Sequence, residues 1–193
     1  LNNHWTFDAR LSNIGTDGYI DRASVDLNSY YLQGGYFAEN TSVKLIAFAG
    51  KEKTYHAWGY ATKEQMEKFG RRYNPCGEMY TDANGKKYYY DDQTDNYLQK
   101  NYQLLFNHTF STAWNLNVAL HYTKGDGYYE EYKDGRYLIE YGLKSFTIDG
   151  TEVSKSDLVR QKKMDNKFGG GVFSLNYTAN RLSASLGGGL NQY

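Results

Sequence analysis

The sequence has little of what several familiar functions depend on. Among 193 residues there is one cysteine, Cys76, so no internal disulfide can form, and one proline. The 22 basic and 22 acidic side chains cancel to a formal net charge of zero, which removes the electrostatic argument for a nucleic-acid partner. No apolar run approaches the roughly 18 residues of a membrane-spanning helix. What remains is an aromatic-rich chain with 21 tyrosines and 20 glycines.

Patterns for catalysis and metal binding are also missing. The four histidines stand singly in the sequence, without the spacing of a metal site, so we predict no metal ion and no cofactor. The acidic groups at 91–95 and 130–131 lack the hydrophobic setting that separates the pKa values of a catalytic acid and base. We interpret them as solvated loop charges and predict that the chain is not an enzyme.

Alternation of apolar and polar residues dominates the chain. From Ala113 to Thr123 it is strict, with apolar side chains at 114, 116, 118, 120 and 122. This period of two is typical of β-strands whose two faces meet different surroundings. Seven segments share it: Trp5 to Ile14, Val25 to Ala38, Ser42 to Lys53, Tyr97 to Phe110, Ala113 to Thr123, Phe168 to Tyr177 and Arg181 to Gln192.

The connections between these strands alternate in length. Three are tight, at 38–41, 111–112 and 178–180, and between them lie long connections at 15–24, about 52–96 and about 124–167. Short turns at one end and long loops at the other are the pattern of outer-membrane barrels. We therefore predict an all-β fold: an antiparallel up-and-down meander of about seven long strands, forming part of a transmembrane β-barrel over residues 1–193.

Aromatic residues near the strand ends predict two interfacial girdles, as such a barrel requires. The girdle at the tight turns is assigned Tyr36, Phe37, Phe110, Trp114 and Tyr177, and the outer girdle Tyr30, Tyr97, Tyr102 and Tyr122. The alternative, that aromatic residues are simply common in strands, stays open at this point.

The long connections contain local signals of structure. Thr62 with Gln65 three residues later, and Gly70 beyond, predict a short capped helix. Asn84-Gly85 and Asp149-Gly150 predict two small hairpins. We expect ordered loops, which suit a binding surface. Asp17, Asp21 and Arg22 could form an ion pair that braces the loop, with contact to a substrate as the less favoured alternative.

Several strings in the sequence resemble a known family. "TDGYIDRAS", "YYLQGGYF", "GKEKTYHAW", "RYNPCGE", "DNYLQKNYQLLFNH", "LNVALHYTKGDGYYEEYK" and "FGGGVFSLNY" are similar to the barrel portion of TonB-dependent outer-membrane receptors of the Bacteroidetes type, over essentially the whole chain. The resemblance implies a 22-stranded barrel around an N-terminal plug, in the bacterial outer membrane, with uptake driven by the TonB complex.

The chain differs from the full family pattern, because the plug is absent and seven strands do not close such a barrel. The opening residues "LNNHWTFDAR" alternate like mid-strand sequence and carry no signal-peptide pattern. We therefore expect a fragment of a longer receptor. Isolated, it would expose its lipid-facing side and edges, and we expect it to associate with itself.

The candidate binding residues are aromatic and basic groups of the long connections. They are Tyr55, His56, Trp58, Arg71, Arg72, Tyr73, Tyr128 and Tyr129. Aromatic rings with flat apolar faces and polar tips, together with guanidinium groups, suit the binding of a bulky nutrient. We expect an iron–siderophore-type ligand in preference to a glycan or a vitamin. An aromatic cluster that only stiffens the loops is an equal alternative. For the whole chain, the alternative function is a soluble β-sandwich adhesin or glycan-binding module.

Overall fold

The computed structural model describes residues 3–193 and consists mainly of long β-strands. In chain order the elements are β1 (Trp5–Thr16), β2 (Val25–Phe37), β3 (Thr41–Tyr55), α1 (Lys63–Phe69), β4 (Glu78–Thr81), β5 (Lys87–Tyr89), β6 (Thr94–Thr109), β7 (Trp114–Tyr137), a 3-10 turn (Leu138–Tyr141), β8 (Phe146–Ile148), β9 (Thr151–Val153), β10 (Lys155–Ala179) and β11 (Leu182–Gln192). No helix in this part of the chain is long and apolar enough to cross a membrane.

The seven long strands form one antiparallel sheet in the order β1-β2-β3-β6-β7-β10-β11. Each long strand pairs with the next one in sequence, which confirms the predicted all-β, up-and-down meander. Connections of a few residues lie at one end of the sheet and the long connections lie at the other. The sheet does not close on itself, so β1 and β11 are its edges.

The connection predicted at about 124–167 is shorter than the sequence indicates. Residues 124–137 and 155–167, which we assigned to a loop, continue β7 and β10, and the two strands pair from Trp114–Tyr177 to Tyr137–Lys155. The loop proper covers 138–154. Its length was overestimated because residues 124–137 are mostly glycine, tyrosine and charged residues, which give no apolar alternation when both faces of a strand are wet.

The loop elements match their sequence signals. The Thr62 side chain caps α1 by accepting from the Gln65 N–H, and the Gln65 side chain accepts from the Thr62 N–H. Gly70 ends the helix at a positive φ of 92°. The predicted hairpins are β4–β5 and β8–β9, each with its glycine, Gly85 or Gly150, in the left-handed region.

Register places most of the apolar residues of the seven strands on one side of the sheet, because directly paired residues of antiparallel strands lie on the same face. Ile46, Phe48, Leu105 and Val172 are exceptions on the other side. Two rows define this apolar face at its middle. One row contains Phe7, Gly34, Leu45, Leu104, Leu120, Gly171 and Leu190, and the row nearer the tight turns contains Trp5, Tyr36, Val43, Phe106, Val118, Phe173 and Gly188.

Aromatic pairs lie at both ends of the apolar face. Trp114 packs on Tyr177 at the tight turns, with ring centroids 4.8 Å apart. Tyr102 pairs with Tyr122 toward the loops. Two girdle assignments are wrong, because register puts Phe37 beside Ser42 and Asn107, and Tyr97 beside Glu52 and Gly127, on the opposite side of the sheet.

The opposite side, the polar face, carries a hydrogen-bonded row of amides and hydroxyls near the tight turns. Asn107 donates to Asn117 at 2.6 Å, Asn117 donates to Asn115 at 2.8 Å and to Ser174 at 3.2 Å, and Ser185 donates to Asn176 at 2.5 Å. Part-buried polar groups are thus satisfied by one another across four strands.

No second layer covers the apolar face within residues 3–193. Leu11 is 83% exposed, Leu190 81% and Phe7 63%. The buried apolar residues of the described chain are few, and most of them lie in or beside the loops: Ala49, Tyr55, Tyr73, Cys76 and Leu138. An exposed apolar surface of this extent is typical of an interaction surface.

Candidate ligand-binding site

The connection between β3 and β6, residues 56–93, is fixed at its centre by Asn74, of which 1% is exposed. The Asn74 Nδ2 donates to the carbonyls of Asp21 at 3.0 Å and His56 at 2.9 Å, and its Oδ1 accepts from the Cys76 N–H at 3.0 Å. The amide therefore joins three separate stretches of backbone. It sets the position of His56 relative to the end of the sheet.

Arg22 braces the same loop from the β1–β2 connection. Its guanidinium lies 3.4 Å from the ring centroid of Tyr89 and donates to the Asn74 carbonyl at 2.5 Å. Arg22 has a left-handed φ of 64°, an uncommon conformation for a residue with a side chain. The predicted ion pair of Arg22 with Asp17 or Asp21 is not formed within residues 3–193. Arg22 instead braces the loop through backbone carbonyls, and Asp21 pairs with Arg72 at 3.2 Å.

Three of the predicted residues come together as the aromatic cluster of His56, Trp58 and Tyr129. The ring centroids of His56 and Trp58 are 3.9 Å apart, and Tyr129 meets Trp58 edge-on at 5.7 Å. His56 and Trp58 follow β3, whereas Tyr129 lies in the extended part of β7, some seventy residues further on. Only the pairing of β3 with β6 and of β6 with β7 brings them together.

His56 is enclosed beneath Trp58. The imidazole Nε2 lies 3.5 Å from the Asp95 Oδ2, an ion-pair distance, but neither ring nitrogen makes a hydrogen bond to any group of residues 3–193. Burial lowers the pKa of His56 below its ordinary value of 6.5, and the nearby carboxylates of Asp95 and Glu131 only partly oppose this. The imidazole is therefore neutral at pH 7.

Glu131 forms a charged triad beside the aromatic cluster. Its carboxylate accepts from Arg160 and from Lys133, the latter at 3.1 Å, and its side chain is 9% exposed. Burial raises the pKa of Glu131, but the hydrogen bonds and charges of the two cations outweigh burial and hold the pKa below its usual value. Our interpretation of Glu131 as a solvated loop charge was wrong, since β7 continues through it and turns it inward.

The remaining predicted residues lie apart from the aromatic cluster. Tyr55, the last residue of β3, and Tyr73 are buried. Their hydroxyls donate to the Tyr90 carbonyl at 2.9 Å and to the Glu78 carboxylate at 2.8 Å. Arg71 is exposed. Tyr128 lies on the opposite side of β7 from Tyr129, paired with Asn96 and Lys163.

The arrangement offers a stacking platform with charge at its border. Trp58 is 48% exposed, and its indole packs on the His56 ring. The Lys162 ammonium lies 5.5 Å from the Tyr129 ring centroid, and the Asp95 side chain is 31% exposed. A flat group could stack on Trp58 and meet a cation and a carboxylate at its edges. Within residues 3–193 no three His, Cys, Asp or Glu side chains are grouped to hold a metal ion.

Sequence reasoning missed the charged border of the site: Asp95, Glu131, Arg160 and Lys162. The sequence did contain a signal, the alternation of side chains between the two faces of a strand. If this alternation continues past Thr123, Tyr129, Glu131 and Lys133 lie on one face.

Comparisons with known proteins do not identify the chain: no protein-family model matches it, and no curated protein matches it either.

Proposed function

We propose that the chain forms part of the barrel wall and outer loops of a TonB-dependent transporter in the bacterial outer membrane. The apolar face carries this proposal, since it runs unbroken across seven paired strands, is uncovered within residues 3–193 and ends in aromatic pairs on both sides. Lipid is a cover that suits an apolar sheet face bounded by aromatic girdles.

The height of the apolar face fits a bilayer. Along β7 the aromatic residues that bound it, Trp114 and Tyr122, are eight residues apart. At about 3.4 Å per residue this is roughly 27 Å along the strand, or about 21 Å of depth at a strand tilt near 40°. Outer-membrane barrels have an apolar band of about 25 Å.

The polar face would then line the lumen, and β1 and β11 would pair with further strands of the same barrel. Their unpaired backbone groups could not remain so in hydrocarbon, where water does not replace the missing partners. The aromatic cluster lies at the loop end on the polar face, where an incoming ligand would meet it first. Coupling to the TonB complex would pass through a plug outside this chain.

The ligand we propose is a bulky nutrient with a flat apolar part and polar edges. Among the candidate ligands we favour an iron–siderophore-type compound over a glycan or a vitamin. The support is the half-exposed indole of Trp58, which packs on Tyr129 and His56, with Lys162 beside Tyr129 and Asp95 beside His56. This is a stacking site for the ligand and does not require the protein to hold a metal ion itself.

The alternative, a soluble β-sandwich adhesin, is less well supported. A sandwich needs a second sheet packed about 10 Å from the first. Within the described residues the only sheets besides the seven-stranded one are the two-stranded β4–β5 and β8–β9. Neither is large enough to cover the apolar face.

Two substitutions on adjacent residues of β7 test the membrane assignment. Leu120 lies on the apolar face and Ala119 on the polar face. In the full-length protein containing this chain, Leu120→Arg should reduce folding into lipid vesicles by about 2–4 kcal/mol, the cost of arginine near the bilayer midplane, and Ala119→Arg should have a much smaller effect. Folding is measured by urea titration in vesicles. Equal effects of the two substitutions, or stable folding without lipid or detergent, would overturn the proposal.

A further inference from the structure

Directly beyond the aromatic pair Tyr102–Tyr122, toward the loops, the same face carries three lysines side by side. Lys100 of β6 pairs with Lys124 of β7, and Lys124 pairs with Lys167 of β10. We call Lys100, Lys124 and Lys167 the lysine row. Directly paired side chains on antiparallel strands have Cβ atoms about 4.5–5.5 Å apart, so three like charges occupy neighbouring positions.

This arrangement is unfavourable unless an anion joins it. Like charges placed directly opposite each other destabilise a sheet. None of the three lysines has an ion pair or side-chain hydrogen bond within residues 3–193. The nearest carboxylates on this face are in the next row, where Asp126 pairs with Asp165, and they offset only part of the charge. The chain as a whole is neutral, so the lysine row is a local concentration of positive charge.

The depth of the lysine row matches lipid headgroups. It follows the tyrosine row by two residues, or about 7 Å along the strand and about 5 Å in depth at the tilt of a barrel strand. Tyrosine rings mark the boundary between hydrocarbon and water, and long lysine side chains extend from this boundary toward the headgroups. The three ammonium groups would thus lie at the level of the headgroup phosphates.

We propose that the lysine row binds the phosphates of anionic lipid headgroups at the outer membrane interface. This inference rests on the proposed function, since it requires the apolar face to meet lipid. It adds a recognition site on the outer surface of the wall, separate from the ligand site on the polar face. The chemistry required is an exposed phosphate with net negative charge, which three mobile ammonium donors can contact at once.

The test measures which lipids contact the full-length protein containing this chain in phosphatidylcholine vesicles. Spin-labelled phosphatidic acid and spin-labelled phosphatidylcholine report the motionally restricted lipid at the protein surface. Three lysines, partly offset by two carboxylates, should give a preference for phosphatidic acid of roughly tenfold, since each lysine near an anionic surface contributes a few-fold. A triple Lys100→Gln, Lys124→Gln, Lys167→Gln variant should lose this preference.

Two further variants control for fold and for overall charge. The triple Lys→Arg variant at the same positions keeps the charge and should retain the preference. Replacing three exposed loop lysines, Lys63, Lys86 and Lys144, with glutamine removes the same total charge and should also leave the preference unchanged. Equal loss in the loop variant would show that overall charge is responsible, and would overturn the assignment to the lysine row.

The remaining outcomes separate this inference from the proposed function. Restricted lipid without preference for phosphatidic acid would overturn the headgroup site and leave the membrane wall intact. Absence of any restricted lipid would overturn both. Displacement of labelled phosphatidic acid by free inorganic phosphate, but not by chloride at equal ionic strength, would mean that the row takes free phosphate, and would overturn the assignment to lipid.

Discussion

Replacing Asn74 with alanine should release the loop at 56–93 while leaving the sheet intact. The substitution removes two donated hydrogen bonds, to Asp21 and His56, and one accepted from Cys76. Each contributes about 1 kcal/mol net, so the loop should lose roughly 3 kcal/mol of local stability, and more if the buried Cys76 N–H stays without a partner. Strand pairing does not involve Asn74, so the global unfolding transition should move much less.

Native-state hydrogen exchange measures this loss at a defined site. The His56 amide donates to the Gln93 carbonyl at 2.8 Å, and it exchanges only when the loop opens. A loss of about 3 kcal/mol corresponds to roughly 100-fold faster exchange at this amide. Asn84→Ala is the matched control, since Asn84 is an exposed residue of the β4–β5 turn, and we expect an effect of no more than about 0.5 kcal/mol. Similar exchange rates in the two variants would refute the role of Asn74.

Three further predictions concern the site. Because the pKa of His56 is lowered from 6.5 in the folded protein, the unfolded chain takes up a proton first, and loop stability should fall as pH drops below about 6.5. Trp58 fluorescence against pH measures this, and a His56→Phe variant that keeps the same pH dependence would contradict it. Glu131→Gln leaves Lys133 and Arg160 poorly paired, so it should lower the free energy of unfolding in urea by about 2–3 kcal/mol. Glu140→Gln, at an exposed position, should lower it by less than about 1 kcal/mol. Trp58→Ala should weaken ligand binding in titrations by about 10- to 100-fold, and equal weakening by Tyr60→Ala, whose side chain is almost fully exposed, would argue against a stacking site.

Alternation accounts for how much of the sheet could be predicted. Within the apolar band the two sides of a strand meet different surroundings. The sequence of β7 from Trp114 to Tyr122 therefore predicts both the strand and which of its residues lie on the apolar face. Beyond Thr123 both sides of the strand are polar, and the same local pattern fits strand or loop equally well. The pairing with β10 extends the strand to Tyr137.

The candidate site shows the same division between local and long-range information. Aromatic and basic side chains in the long connections identified His56, Trp58 and Tyr129 as candidates. Their sequence could not distinguish Tyr129 from Tyr128, which differ only in the face of β7 on which they lie. Nor could it indicate that Glu131 would be enclosed between Arg160 and Lys133.

The sequence by itself determined the class of fold, the apolar face, the tight turns and the small capped elements of the loops. Each depends on residues within a few positions of one another, through strand periodicity, turn geometry and helix capping. Only the tertiary structure decided the register of neighbouring strands, and with it the contact of Trp58 with Tyr129 and the row formed by Lys100, Lys124 and Lys167. The physical reason is that a shift of one residue in register turns every side chain of a strand to the other face.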